Sequence, residues 1–144
     1  MSTQTYISQA EFIARFERAR IAQLTGDPRG EDIGDKAQDA INEFANSINA
    51  SLRSVVDDIE KVDISDPYLK DLNGRGAFLI MLRDKRGGWS DDHYEQWKEI
   101  NKELDKIASG KKSVMLTEGS TAYGGYFKTN KRVFGRTSYG VPGL

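Results

Sequence analysis

A chain of 144 residues, 38% hydrophobic and 30% charged with a formal charge of −1, is long enough for one cored domain, with or without an appended arm. It has no cysteine, which excludes a disulfide framework, thiolate catalysis and a thiolate-bound metal. No stretch approaches the ~18 apolar residues of a membrane span; the longest apolar run, Ala77 to Leu82, has six. Residues 1–12 lack the basic and apolar regions of a signal peptide, so the expectation is a soluble chain made in the cytoplasm, with no membrane partner.

Taken in chain order, the first element opens at Ser8. Ser8 and Glu11 form the Ser-x-x-Glu capping box, and Phe12, Ile13 and Phe16 follow at helical spacing. Ile21 and Leu24 belong to a continuation or a second short turn. Residues 25–35, "TGDPRGEDIGD", read as a turn-rich loop, with Asp35 able to cap the next helix. That helix is the best specified. Ala37, Ala40, Ile41, Phe44, Ile48, Leu52 and Val55 keep a spacing of three and four for over four turns. Residues 53–66 are a β-branched, acidic connection that can hold a short extended segment.

Pro67 suits the first position of a third helix, with Asp66 as its cap. Leu69, Leu72, Phe78, Leu79 and Leu82 lie on it. Its second half, "AFLIML", is apolar nearly all round, which predicts burial on several sides by its own domain or by a neighbouring subunit. Two glycines in "NGRG" (73–76) cost roughly 1 kcal/mol each against alanine in a helix, and suit a close helix contact or a kink. "RGGW" (86–89) breaks the chain. Ser90 or Asp91 then caps a fourth helix with Tyr94, Trp97, Ile100, Leu104 and Ile107 on its apolar face, ended by Gly110. "SVML" (113–116) is a possible short strand. The fold class is therefore mainly α: a compact bundle of about four helices over 1–109, with a long extended C-terminal arm over 110–144.

The arm differs in kind. Residues 110–144 carry six basic residues and one acid, a net +5, against −6 for residues 1–109. They are rich in Gly, Ser and Thr, have no helical period, and hold too few clustered apolar residues for a core. A segment that cannot fold alone is ordered by a partner. Its aromatics and cations, Tyr123, Tyr126, Phe127, Arg132, Phe134, Arg136 and Tyr139, are the expected assembly interface. An acidic body with a basic arm also favours head-to-tail attraction between copies.

Catalytic patterns are missing. His93 is the lone histidine and reads as a surface or capping residue; "HYEQW" fails the His-Glu-x-x-His zinc pattern because Trp97 holds the last position. "SGKKS" fails the phosphate-loop pattern, since Asp105 stands where the first glycine belongs and the motif ends a helix instead of beginning one. Asp57, Asp58, Glu60, Asp63 and Asp66 lack the spacing of an EF-hand loop; they read as a solvated acidic loop, or as one that faces a basic neighbour in an assembly. No catalytic residue, cofactor or metal is expected, and the reading is a non-enzymatic protein. "KTNKRVFGR" (128–136) would give phosphate contacts in a DNA-binding regulator, the alternative from another functional class.

Four stretches, "YISQAEFIARFERARIAQLT" (6–25), "DAINEFANSINASL" (39–52), "YEQWKEINKELDKIASGKKSV" (94–114) and "RVFGRTSYG" (132–140), resemble the Mu-like prophage family of small virion proteins, itself similar to the head–tail connector, or adaptor, proteins of tailed phages. Glu17 stands where that family often has glycine. The resemblance implies a helical body whose copies form a ring of about twelve below the portal of the capsid. It also implies docking to the portal protein and to the next neck or tail component, with DNA only as passing cargo. A neck stopper or tail-completion protein is the alternative within that class.

Overall fold

A computed structural model describes residues 3–25, 33–84, 88–117 and 121–122. The described residues form five helices: α1 (Gln9–Phe16), α2 (Arg18–Thr25), α3 (Ile33–Leu52), α4 (Pro67–Asp84) and α5 (Asp91–Ala108). A single 3-10 turn lies at Ile59–Lys61, and a two-stranded antiparallel ribbon pairs β1 (Val114–Met115) with β2 (Thr121–Ala122). The mainly helical class is as the sequence indicates. The expected four helices are five because the first divides.

The division falls at Glu17, which has φ 66 and ψ 128 and is the one described non-glycine residue with positive φ. A Cβ in this region clashes with its own backbone, so the position favours glycine. The capping box that starts α1 is complete: Ser8 Oγ accepts from the Glu11 amide at 3.1 Å, and the Glu11 carboxylate accepts from the Ser8 amide at 3.1 Å. Beyond the break, α2 buries Ile21.

Helix α3 starts two residues before Asp35, so that residue lies in the first turn and is not the cap; residues 26–32 of the expected loop lie outside the described residues. All seven apolar positions from Ala37 to Val55 that the spacing selects are buried. The stripe packs on α4, and Phe44 of the stripe lies against Gly76. A Cβ added there would lie 2.2 Å from Phe44 Cγ and 2.4 Å from both Cδ atoms, far inside contact distance. Gly74 has a second close neighbour, Ile7 Cδ1, at 3.2 Å from where a Cβ would lie. The two glycines thus serve close packing on two sides of one helix. "AFLIML" is buried by its own chain, except that Phe78 is half-buried, stacked on Phe16 with ring centroids 4.4 Å apart. No neighbouring subunit is required to cover it.

A polar staple runs through this core. Asn73 is fully buried on α4, accepting from the Tyr6 amide at 2.9 Å and donating to the Ile41 carbonyl at 3.1 Å. Tyr6 Oη donates to Asn49 at 2.6 Å, and Asn49 donates to the Gln4 carbonyl at 3.0 Å. Residues 3–7 are thereby tied across α3 and α4, with Tyr6 and Ile7 as core residues ahead of the first helix. Burial raises the Tyr6 hydroxyl pKa, which keeps it a donor.

On α5, Ile100, Leu104 and Ile107 are buried and Trp97 is half-buried against Phe44. Tyr94, expected on the apolar face, is instead 54% exposed and meets Trp89 edge-on at 5.2 Å. Trp89 clasps the α4–α5 connection by donating from Nε1 to the Leu79 carbonyl at 2.7 Å. Residues 85–87 lie outside the described residues.

Two substitutions test this packing. Gly76→Ala forces Phe44 from its place and is expected to destabilise by about 3 kcal/mol, read by urea denaturation. Glu17→Gly relieves the left-handed strain and is expected to stabilise by about 1 kcal/mol in the same assay.

Candidate assembly surface

The route from α5 to the arm is fixed residue by residue. Gly110, with φ 79, sits just past the Ser109 cap; its amide donates to the Ile107 carbonyl at 3.1 Å and the Lys111 amide to the Lys106 carbonyl at 2.8 Å. This is the paired-bond glycine stop of a helix, so "SGKKS" closes α5. Lys112 then lies over the Tyr68 ring, 4.7 Å from its centroid. Tyr68 donates to Glu103 at 2.7 Å. Burial and that carboxylate raise the Tyr68 pKa, while the Tyr68 bond, with a second from Lys106, lowers that of Glu103.

The chain then enters the core again. Val114 and Leu116 are buried, and Leu116 bridges to Val62. Backbone bonds from Asp63 to Met115 (2.9 Å) and from Thr117 to Lys61 (2.8 Å) lay this segment along the β-branched connection. The body therefore runs on to Thr117, past the expected boundary at 109. "SVML" supplies the strand β1, and residues 61–63 supply the extended segment that the connection was expected to hold.

Asp66 is the joint. It is 4% exposed, accepts from the Tyr68 amide at 2.9 Å as the cap of α4, and accepts from the Met115 amide at 2.9 Å through its other oxygen. Two amide donors compensate a buried carboxylate that would otherwise be costly. One side chain thus starts a helix and holds the root of the arm.

The remaining acids of the connection have separate tasks. Asp58 caps the 3-10 turn by accepting from the Glu60 amide at 2.9 Å. Asp63 accepts from both the amide and the hydroxyl of Ser65, and these bonds hold its pKa below the usual carboxylate value. Asp57, Asp58 and Glu60 are exposed. Two large apolar side chains are also exposed, Ile64 at 57% and Met115 at 43%. A groove of about 660 Å³ opens beside Ile64, walled by Thr5, Asn46, Arg53, Ile59 and Glu60. Ile64 and Met115 had no place in the expected interface. The signal for Ile64 was a β-branched residue isolated between Asp63 and Asp66; for Met115 it was the alternation of a strand too short to read.

The seven residues expected to form the interface, Tyr123, Tyr126, Phe127, Arg132, Phe134, Arg136 and Tyr139, all lie outside the described residues. His93 is a capping residue: its amide donates to Ser90 Oγ at 3.4 Å and its Nδ1 accepts from the Ser90 amide at 3.1 Å. Among the described residues no group of three His, Asp or Glu side chains is placed to hold a metal ion. No described helix is long and apolar enough to cross a membrane. No known family model, curated protein or solved structure matches the chain.

Asp66→Ala removes a helix cap and leaves the Met115 amide without its acceptor. The expected loss is about 3 kcal/mol, read by thermal denaturation, with faster hydrogen exchange at Met115 than at α3 amides. A loss under about 0.5 kcal/mol would mean that Asp66 joins nothing.

Proposed function

We propose that this chain is a non-enzymatic structural protein of a virion, a head–tail connector whose copies form a ring below the portal and dock the next neck or tail component. The observation that carries the reading is the division of the chain. Its described helices pack into one core whose last described members are Val114 and Leu116, and beyond β2 the chain continues for 22 residues with four cations, five aromatics and no acid. A body that contributes its core early and then extends a basic, aromatic-studded arm is suited to holding on to neighbours. The sequence likeness to small virion proteins supplies the partner classes: the portal protein and the next neck or tail protein.

In this reading the helical body is the wall of the ring. The arm docks through Tyr126, Phe127, Arg132, Phe134 and Arg136, which supply apolar anchors and bidentate hydrogen bonding to carboxylates. Passing DNA is cargo and contributes no sequence-specific contact.

Truncation after Ala122 tests this. The shortened chain is expected to keep its helical circular dichroism and a cooperative melt, and to lose both binding to purified portal rings and incorporation into particles. Incorporation at the level of the full chain would overturn the proposal. Salt-sensitive binding of the full chain to DNA, with none to portal rings, would favour a small regulator instead.

A further inference from the structure

We infer that the acidic–apolar surface around Ile64 is the receptor for the basic stretch 128–136 of a neighbouring copy's arm. The inference rests on the proposed ring in one respect, that a second copy lies alongside.

The two chemistries match. Ile64 and Glu60 line an open groove that Arg53 also lines, Asp57, Asp58 and Met115 are exposed, and residues 57–63 hold four acids against one cation, Lys61. The stretch 128–136 holds Lys128, Lys131, Arg132 and Arg136 with no acid, and places Val133 and Phe134 between the arginines. Acids rimming apolar side chains would meet cations rimming apolar side chains. Such pairing gives orientation and partner choice as well as attraction.

The topology also fits. Residues 61–63, β1 and β2 lie side by side with β1 in the middle, so Ile64 and the root of the arm at Ala122 are separated by about 10 Å, two strand spacings. Phe134 lies twelve steps along the chain beyond Ala122, an extended reach of about 40 Å. The radius of gyration of a body of about 120 residues is only about 14 Å. The arm is therefore long enough to leave one body and reach the next. Each copy offers a donor arm and a receptor surface that differ from one another, which is a head-to-tail contact, and such contacts generate rings when the rotation closes.

The lack of native cysteine makes disulfide trapping clean. Full-length Ile64→Cys chain is mixed with full-length Val133→Cys chain and oxidised, and the cross-linked dimer is measured on a non-reducing gel. Tyr94→Cys, at another exposed apolar position, replaces Ile64→Cys as the control. The expected yield at position 64 is about tenfold above the control. Adding Asp57→Lys, Asp58→Lys and Glu60→Lys to the Ile64→Cys chain should bring it to control level. Arg132→Glu and Arg136→Glu on the other chain should restore it, which separates a charge effect from misfolding.

Equal yields at positions 64 and 94 would overturn the inference. So would indifference to the charge reversals, or a disulfide that forms only within a single chain carrying both cysteines. The same pair in purified particles separates this inference from the proposed function. Chain present without the cross-link sinks the receptor surface alone; the cross-link in solution with no chain in particles sinks the connector alone.

Discussion

The contact on which the rest of the body depends is that of the Phe44 ring against Gly76. It fixes how near α3 lies to α4, and every other element is referred to that pair. Each glycine in α4 costs about 1 kcal/mol of helix propensity relative to alanine. Burial of a phenylalanine side chain stabilises by about 1.5–3 kcal/mol, so Phe44, 1% exposed, more than offsets the cost at position 76. With α3 and α4 in place, Asn73 and Asn49 face the Tyr6 strap, and α1 and α2 cover the side of α4 where Phe78 lies. Salt bridges of Glu11 with Lys70 and of Asp71 with Arg15 and Arg75 ring the same side. They are partly exposed and add orientation more than stability.

The other consequence lies at the N-terminal end of α4. Because Pro67 begins the helix, Asp66 is placed to cap it and to receive β1. The arm therefore leaves from a point anchored to the most buried helix of the fold. The segment that leads to it is held by the Asp63–Met115 and Lys61–Thr117 backbone bonds and by the Asp66 carboxylate.

Legibility in the sequence followed the periodicity. The buried stripe of α3 from Ala37 to Leu52 was largely readable because only one face of the helix is apolar, and the Ser8–Glu11 box and the Gly110 stop were readable because each uses local chemistry. The packing side of α4 was not, since "AFLIML" is apolar all round and its period selects no partner. The break at Glu17 carried no glycine or proline to mark it. Tyr6 and Ile7 precede a cap and belong to no periodic pattern. Their burial depends on Asn49 and Asn73, which lie 43 and 67 residues from Tyr6, a pairing that no local pattern encodes. Of the candidate surface, the acidic character of residues 57–66 and the basic character of the arm were legible. The exposure of Ile64 and Met115 was not, because it follows from the register of β1 against residues 61–63.

The proposed function makes the chain a body and an arm repeated around a ring. The most direct test is its copy number in purified virions, measured by quantitative mass spectrometry against the portal protein. Near-equal abundance is the result expected of a portal-matched connector. Half the portal's abundance or less would place the chain lower in the neck or tail, and absence from particles would contradict the structural role altogether.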